Sequence, residues 1–289
     1  MNTEMDATIY LPKTKTLNGI SWPERCSIKQ YFSLTSNIIY YMAMNPSTPK
    51  VYNKLIQCCK YFFERNPIIV AENMTKVNTF GYNGDSESYC TIFKTTKVST
   101  KIWLLHKLLL TNLTPSFIPQ SLRPKIYQSQ IKKLGIHDTK VNFNDFLFFA
   151  STVEILFLTS VEMTYNDEKN VMLEKIFEVV PNVKEVQYGF IFGKSVVTES
   201  TIKNISNLPN LEHLQKLTFL YVYQALNIED LTLLSKKCEF LSVYYSGNQL
   251  SQEYKNQLNE IRKNKERFSN LYVNYDNWAF GLNRLYNSI

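Results

Sequence analysis

The chain has 289 residues, 44% of them hydrophobic and 20% charged, the composition of a folded protein with a sizeable buried core, which excludes a disordered chain. Aromatics reach 14% while only 8 glycines are present, which argues against a β-barrel built on tight glycine turns. The formal net charge of +7 is uneven: residues 91–143 hold Lys94, Lys97, Lys101, Lys107, Arg123, Lys125, Lys132, Lys133 and Lys140 against the single acid Asp138. Such a segment suits an acidic or phosphorylated partner, or is a solvated lysine surface; the scatter of the lysines favours the latter.

Taken from the start, residues 1–29 read as a flexible N-terminal extension. They are polar, carry Pro12 and Pro23, and contain no apolar core of a secretory signal. The most apolar stretch, 146–161, is interrupted by Ser151, Thr152 and Glu154, too short and polar for a bilayer, so no membrane partner is expected. The five cysteines are odd in number, with Cys58 and Cys59 adjacent. Neither a disulfide framework nor a metal site with paired cysteines fits, and a cytoplasmic or nuclear location is expected.

A helical piece is expected over residues 30–70. Leu34, Ile38, Ile39 and Met42 have helical spacing, and Asn45-Pro46 must end that helix. A second helix then begins with Thr48 as N-cap and Pro49 at its first position. Val51, Leu55, Cys58, Cys59 and Phe62 share one face of it, and Asn66-Pro67 closes the unit.

The segment Phe32-Ser33-Leu34-Thr35-Ser36-Asn37-Ile38-Ile39, followed by Lys54-Leu55-Ile56-Gln57-Cys58-Cys59-Lys60-Tyr61-Phe62, resembles a divergent F-box of the kind expanded in nematode families. Cys58-Cys59-Lys60-Tyr61-Phe62 fits the closing part of that motif. Thr35 stands where proline is usual, and Ser47-Thr48-Pro49 replaces the acidic middle. The resemblance implies a helical hook that binds a Skp-type adaptor, and through it a cullin scaffold. It assigns the adaptor contact, or its immediate support, to Leu34, Ile38, Ile39, Val51, Leu55, Cys59 and Phe62.

Residues 71–90, rich in Gly81, Gly84, Asp85, Ser86 and Ser88, read as a linker to a repeat domain over 91–289. Short β-favouring runs recur at 153–158, 183–188, 214–219, 238–243 and 268–273. Aligning Leu156, Val186, Leu217, Leu241 and Leu271 gives spacings of 30, 31, 24 and 30 residues, and Leu134 fits an earlier repeat. Helical patterns lie between the runs, with Thr198, Asn227 and Ser251 as N-cap candidates and Pro181 and Pro209 after helix ends. One strand and one helix cannot bury their apolar faces alone, whereas stacked copies can. The expected fold class is therefore α/β: a short F-box-like helical hook followed by an irregular leucine-rich-repeat solenoid. An ordinary α/β sheet with unequal strands is the alternative.

Side chains alternating outward on the strands would line a concave surface for a target protein. Glu154, Lys184, Gln187, Tyr244 and Tyr272 are the candidates, with Phe157, Gln215, Thr218, Ser242 and Asn274 beside them. The parity is open, because a slip of one residue flips the face.

Chemistry is scarce. His106, His137 and His213 have no second ligand at metal spacing. Gly193-Lys194-Ser195 lacks the glycine five residues earlier that a phosphate loop needs, position 188 being Tyr188. It reads as a turn between strand and helix. No cofactor, metal or catalytic residue is expected. The function expected is a non-enzymatic substrate-recognition subunit of a ubiquitin ligase, monomeric within its complex. The alternatives are a repeat scaffold without ligase function and, more weakly, a nucleic-acid binder through 91–143.

Overall fold

The structure, a computed structural model, describes residues 32–77, 100–194, 196–246, 250–264, 266 and 268–275, with the short antiparallel pair β1 (Thr16–Leu17) and β2 (Ile20–Ser21) before them. The rest of the expected 1–29 extension and residues 78–90 of the expected linker lie outside the described residues. The chain divides into two compact units, one of Met1–Leu110 with Ser116–Lys132, the other of Thr111–Pro115 with Lys133–Ile289.

In the first unit α1 (Ser36–Met44), α2 (Pro49–Cys58) and α3 (Lys60–Arg65) follow one another. The start of α2 is the one expected: Thr48 Oγ1 accepts the N–H of Val51 at 3.1 Å, and Pro49 occupies the first turn, where no N–H is needed. The expected single face from Val51 to Phe62 is broken, because the backbone of Cys59 is extended and caps α2 while opening α3. Ile39, Ala43, Tyr52, Ile56, Phe62, Ile68 and Trp103 form a buried cluster. The inward face of α2 is thus Tyr52 and Ile56, one turn apart. Val51 and Cys58 are exposed on the other side, and half-buried Leu55 packs at the edge of the cluster.

Strand β3 (Ile68–Val77) follows Pro67 directly, across the boundary where a linker was expected. Its Ile68, Ile69, Ala71 and Met74 are buried, and that apolar run outweighs the loop-like composition that begins at Gly81. β3 neighbours β4 (Lys101–Thr111), and β4 pairs in parallel with β5 (Ile126–Ser129). Residues 100–110 and 116–132, expected within the repeat domain, thereby belong to the helical unit.

The second unit is a sheet whose strands add in chain order. They are β6 (Lys133–Asn142), β7 (Ile155–Thr164), β8 (Glu185–Gly189), β9 (Lys216–Val222), β10 (Phe240–Tyr245) and β11 (Leu271–Asn274), every neighbouring pair parallel. The helices α4 (Phe143–Ala150), α5 (Leu173–Glu178), α6 (Thr201–Ser206), α7 (Ile228–Ser235) and α8 (Gln252–Lys263) connect them. Asn227 and Ser251 cap α7 and α8 as expected, accepting the N–H of Asp230 and Tyr254. Thr198 does not cap α6, which begins after Ser200.

The register pairs Leu134 with Leu156, Leu156 with Val186, Val186 with Leu217, Leu217 with Leu241 and Leu241 with Leu271, the row that the sequence spacing aligns. Two residues further along, Ile136, Leu158, Tyr188, Phe219, Val243 and Val273 make a second buried row. Three residues before the first five register positions, Ile131, Val153, Val183, Leu214 and Cys238 are also buried, while Phe268 before Leu271 is half-buried. They precede the strands, which is why the strands begin later than the apolar runs. Val153, Val183 and Leu214 sit in turns, donating to the carbonyls of Ala150, Val180 and Leu211.

Three of the strands, β6, β7 and β9, also share a kink. Asp138, Ser160 and Tyr221 have φ of 48°, 53° and 56°, and each lies four residues after its register residue. A left-handed backbone is strained for residues bearing a Cβ, so its recurrence at one position marks a built-in bend. Ser160→Val, which puts a β-branched side chain there, is expected to cost about 1–3 kcal/mol in urea unfolding. An unchanged midpoint would mean that the bend relaxes freely.

Candidate functional site

Two surfaces stand out, one in each unit. The first lies on α1 and α2. Leu34, Ile38, Tyr41 and Val51 are 49%, 48%, 67% and 41% exposed. Ile38 and Tyr41, three residues apart, share one stripe of α1, and Leu34 lies in the bend just before its N-cap Thr35. Val51 begins a similar stripe on α2, with half-buried Leu55 and exposed Cys58 one and two turns on.

The unit below this stripe is closed. Phe32, Tyr61 and Phe62 meet edge to face with centroids 5.6–6.0 Å apart. Trp103 packs on Tyr127 at 5.4 Å. The Tyr52 hydroxyl donates to the Asn66 carbonyl at 2.8 Å and accepts from the Ile68 N–H at 2.9 Å. Burial pushes that phenol up to about 12, so it stays a neutral donor at ordinary pH.

The expected adaptor residues therefore separate. Leu34, Ile38 and Val51 are offered to solvent, and Leu55 and Cys59 are half-buried. Ile39 and Phe62 are buried in the unit's own core, so they support the surface and make no contact outside it. The reason is the helical period: Ile39 follows Ile38 by one residue, about 100° around the helix. Tyr40 and Tyr41, both exposed, were not among the residues expected there, though the three-residue spacing of Tyr41 from Ile38 was legible.

The second surface is the strand face between the two buried rows. The register aligns Gly135, Phe157, Gln187, Thr218, Ser242 and Tyr272 along it. Phe157 and Gln187 are half-buried, Tyr272 is exposed, and Thr218 and Ser242 are buried. Tyr244, two residues beyond Ser242, meets Tyr272 with ring centroids 5.6 Å apart. Gln187, Tyr244 and Tyr272 thus share the face proposed for them. Glu154 and Lys184 do not: both precede their strands, and Lys184 Nζ bonds Glu154 Oε2 at 2.7 Å. Their charges are paired with each other just before strands β7 and β8.

Elsewhere, Gly193 turns with φ +74° after β8, and Lys194 Nζ reaches Glu162 Oε1 at 3.1 Å, in keeping with a turn. Ser195 lies outside the described residues, as do Lys94, Lys97, Trp22 and Trp278. His137 is buried in β6, while His106 and His213 are exposed. Among the described residues no cluster of His, Cys, Asp and Glu could hold a metal ion, and no helix is long and apolar enough to cross a membrane. Cys58, Cys59 and Cys238 are free thiols.

No protein-family model, no curated protein and no solved structure matches this chain.

Proposed function

We propose that this chain is the substrate-recognition subunit of a Skp–cullin ubiquitin ligase, itself without catalytic chemistry. In this reading α1 and α2 dock on a Skp-type adaptor, and the strand face of the second unit receives a target protein. The observation that carries it is the exposed stripe of Leu34, Ile38, Tyr41 and Val51 above a closed core. Single exposed apolar residues are ordinary, but several of them gathered on two consecutive helices and the bend before the first suit an interaction surface. It falls on the residues where the F-box resemblance lies.

The second half of the reading is a leucine-rich-repeat solenoid. It is supported by strands that add in chain order, with no reversal of the kind that makes a ligand crevice in a doubly wound sheet. The apolar positions at −3, 0 and +2 around each register residue support it too. Holding a target beside the charged ubiquitin enzyme raises its effective concentration, which is all the catalysis such a subunit supplies.

The test is retention of the full chain by an immobilised Skp-type adaptor. Wild type is expected to be retained, and Leu34→Ala/Ile38→Ala/Val51→Ala to lose about a hundredfold or more in affinity, three anchors at over 1 kcal/mol each. The variant should melt within a few degrees of wild type, since exposed positions carry little stability. Failure of the wild type to bind, or equal retention of a folded variant, sinks the ligase role and leaves a repeat scaffold. The nucleic-acid alternative predicts RNA or DNA binding that falls steeply with salt.

A further inference from the structure

Away from the apolar stripe, the first unit carries an open groove of about 670 Å³. One wall is α2, contributing Lys50, Asn53, Lys54 and Gln57. The facing wall is His106, Gln130 and Lys132. Two backbone bonds fix that second wall: the Gln130 N–H donates to the Leu104 carbonyl and the Lys132 N–H to the His106 carbonyl, both at 2.8 Å. Val70 and Leu105 on β3 and β4, with Pro49, supply apolar lining, and Glu72 is the single acid.

The helix separates this groove from the other two faces of α2. At about 100° per residue, Lys50, Asn53, Lys54 and Gln57 occupy one arc of roughly 100°. Val51, Leu55 and Cys58 occupy a second, and the buried Tyr52 and Ile56 a third. A ligand in the groove and a partner on the apolar stripe touch different sectors of one helix, so neither excludes the other at this element.

We infer that the groove is a docking site for an extended acidic peptide segment that alternates acidic and apolar side chains. Three lysines against one glutamate make it electropositive. The apolar lining favours a chain over an inorganic anion, which gains nothing from Val70 or Leu105. An extended strand points successive side chains to opposite sides, which suits a lining that combines Val70 and Leu105 with lysines from both α2 and the chain after β5. A volume of this size accommodates several side chains and is more than one phosphate needs.

The experiment uses the full chain and a fluorescein-labelled octapeptide alternating valine and glutamate, read by fluorescence anisotropy. Binding is expected in the micromolar range. Lys50→Glu/Lys54→Glu should weaken it about tenfold or more through the lost pairing and the added repulsion. Val51→Ala/Leu55→Ala should leave it unchanged, and replacing the peptide's valines by serine should weaken it. If the double reversal unfolds the helix, Lys132→Glu on the facing wall reads the same groove independently. No binding at millimolar peptide overturns the inference, as does unchanged binding by a folded reversal variant. An octathymidylate that binds as tightly as the peptide also overturns it, in favour of a nucleic-acid groove. Every readout here is independent of the adaptor.

Discussion

Leu217→Ala is expected to destabilise the second unit by about 2–5 kcal/mol, the range for deleting a fully buried leucine side chain. Leu217 is wholly buried at the centre of the register row, with Val186 on one side and Leu241 on the other. Its cavity would therefore open against both neighbouring strands at once. Strands β8 and β10, paired on either side of β9, both lose packing. Hydrogen exchange should quicken in β8 and β10 as well as in β9. The contrast is Gln187→Ala, on the half-open face one residue past Val186, which should stay within about 0.5 kcal/mol of wild type. Urea unfolding followed by far-UV circular dichroism measures both. If the two substitutions cost the same, the buried and open strand faces have been assigned the wrong way round.

That register was readable because it depends on residue spacing. Leu134, Leu156, Val186, Leu217, Leu241 and Leu271 recur with an apolar residue two positions on and another three before. Strand starts were less legible. Val153, Val183 and Leu214 look like strand residues because they are apolar and buried, yet they pack from turns, and nothing in the residue type reports the difference.

The surfaces divide along similar lines. Leu34, Ile38 and Val51, named from resemblance and spacing together, are exposed. Ile39 and Phe62 came along because the motif names residue types without naming faces. Glu154 and Lys184 were misplaced by a slip of parity, and their ion pair joins residues 30 apart in sequence, beyond the reach of any local pattern. The groove beside α2 was illegible for the same reason: Lys50 and Lys54 are adjacent on the helix, but His106 and Lys132 meet them only through the pairing of β4 with the chain after β5. The lysine-rich segment hinted at a basic surface and could not say which lysines would share it.

Asn66→Ala is expected to unfold the helical piece while leaving the second unit's sheet intact. Asn66 is buried, and its Nδ2 donates to the carbonyls of Ala43 and Met44 at 3.0 and 3.4 Å. These are the last two residues of α1, whose carbonyls have no partner within the helix. Its own carbonyl accepts from Tyr52 on α2, and Tyr52 in turn accepts from Ile68 at the start of β3. One asparagine therefore links α1, α2, α3 and β3. Each buried group left without a partner costs about 1–3 kcal/mol, and a helical piece of this size has little stability to lose. Tyr52→Phe breaks the same network at its other end. The double substitution should cost less than the sum of the two, since both remove one connected set of bonds. Adaptor retention should fall in Asn66→Ala together with the melting of the helices, whereas Leu34→Ala/Ile38→Ala/Val51→Ala should lose retention with its helices formed. If Asn66→Ala melts like wild type, the buried network is not what holds the apolar stripe in place, and loss of binding in any variant would have to be read without reference to it.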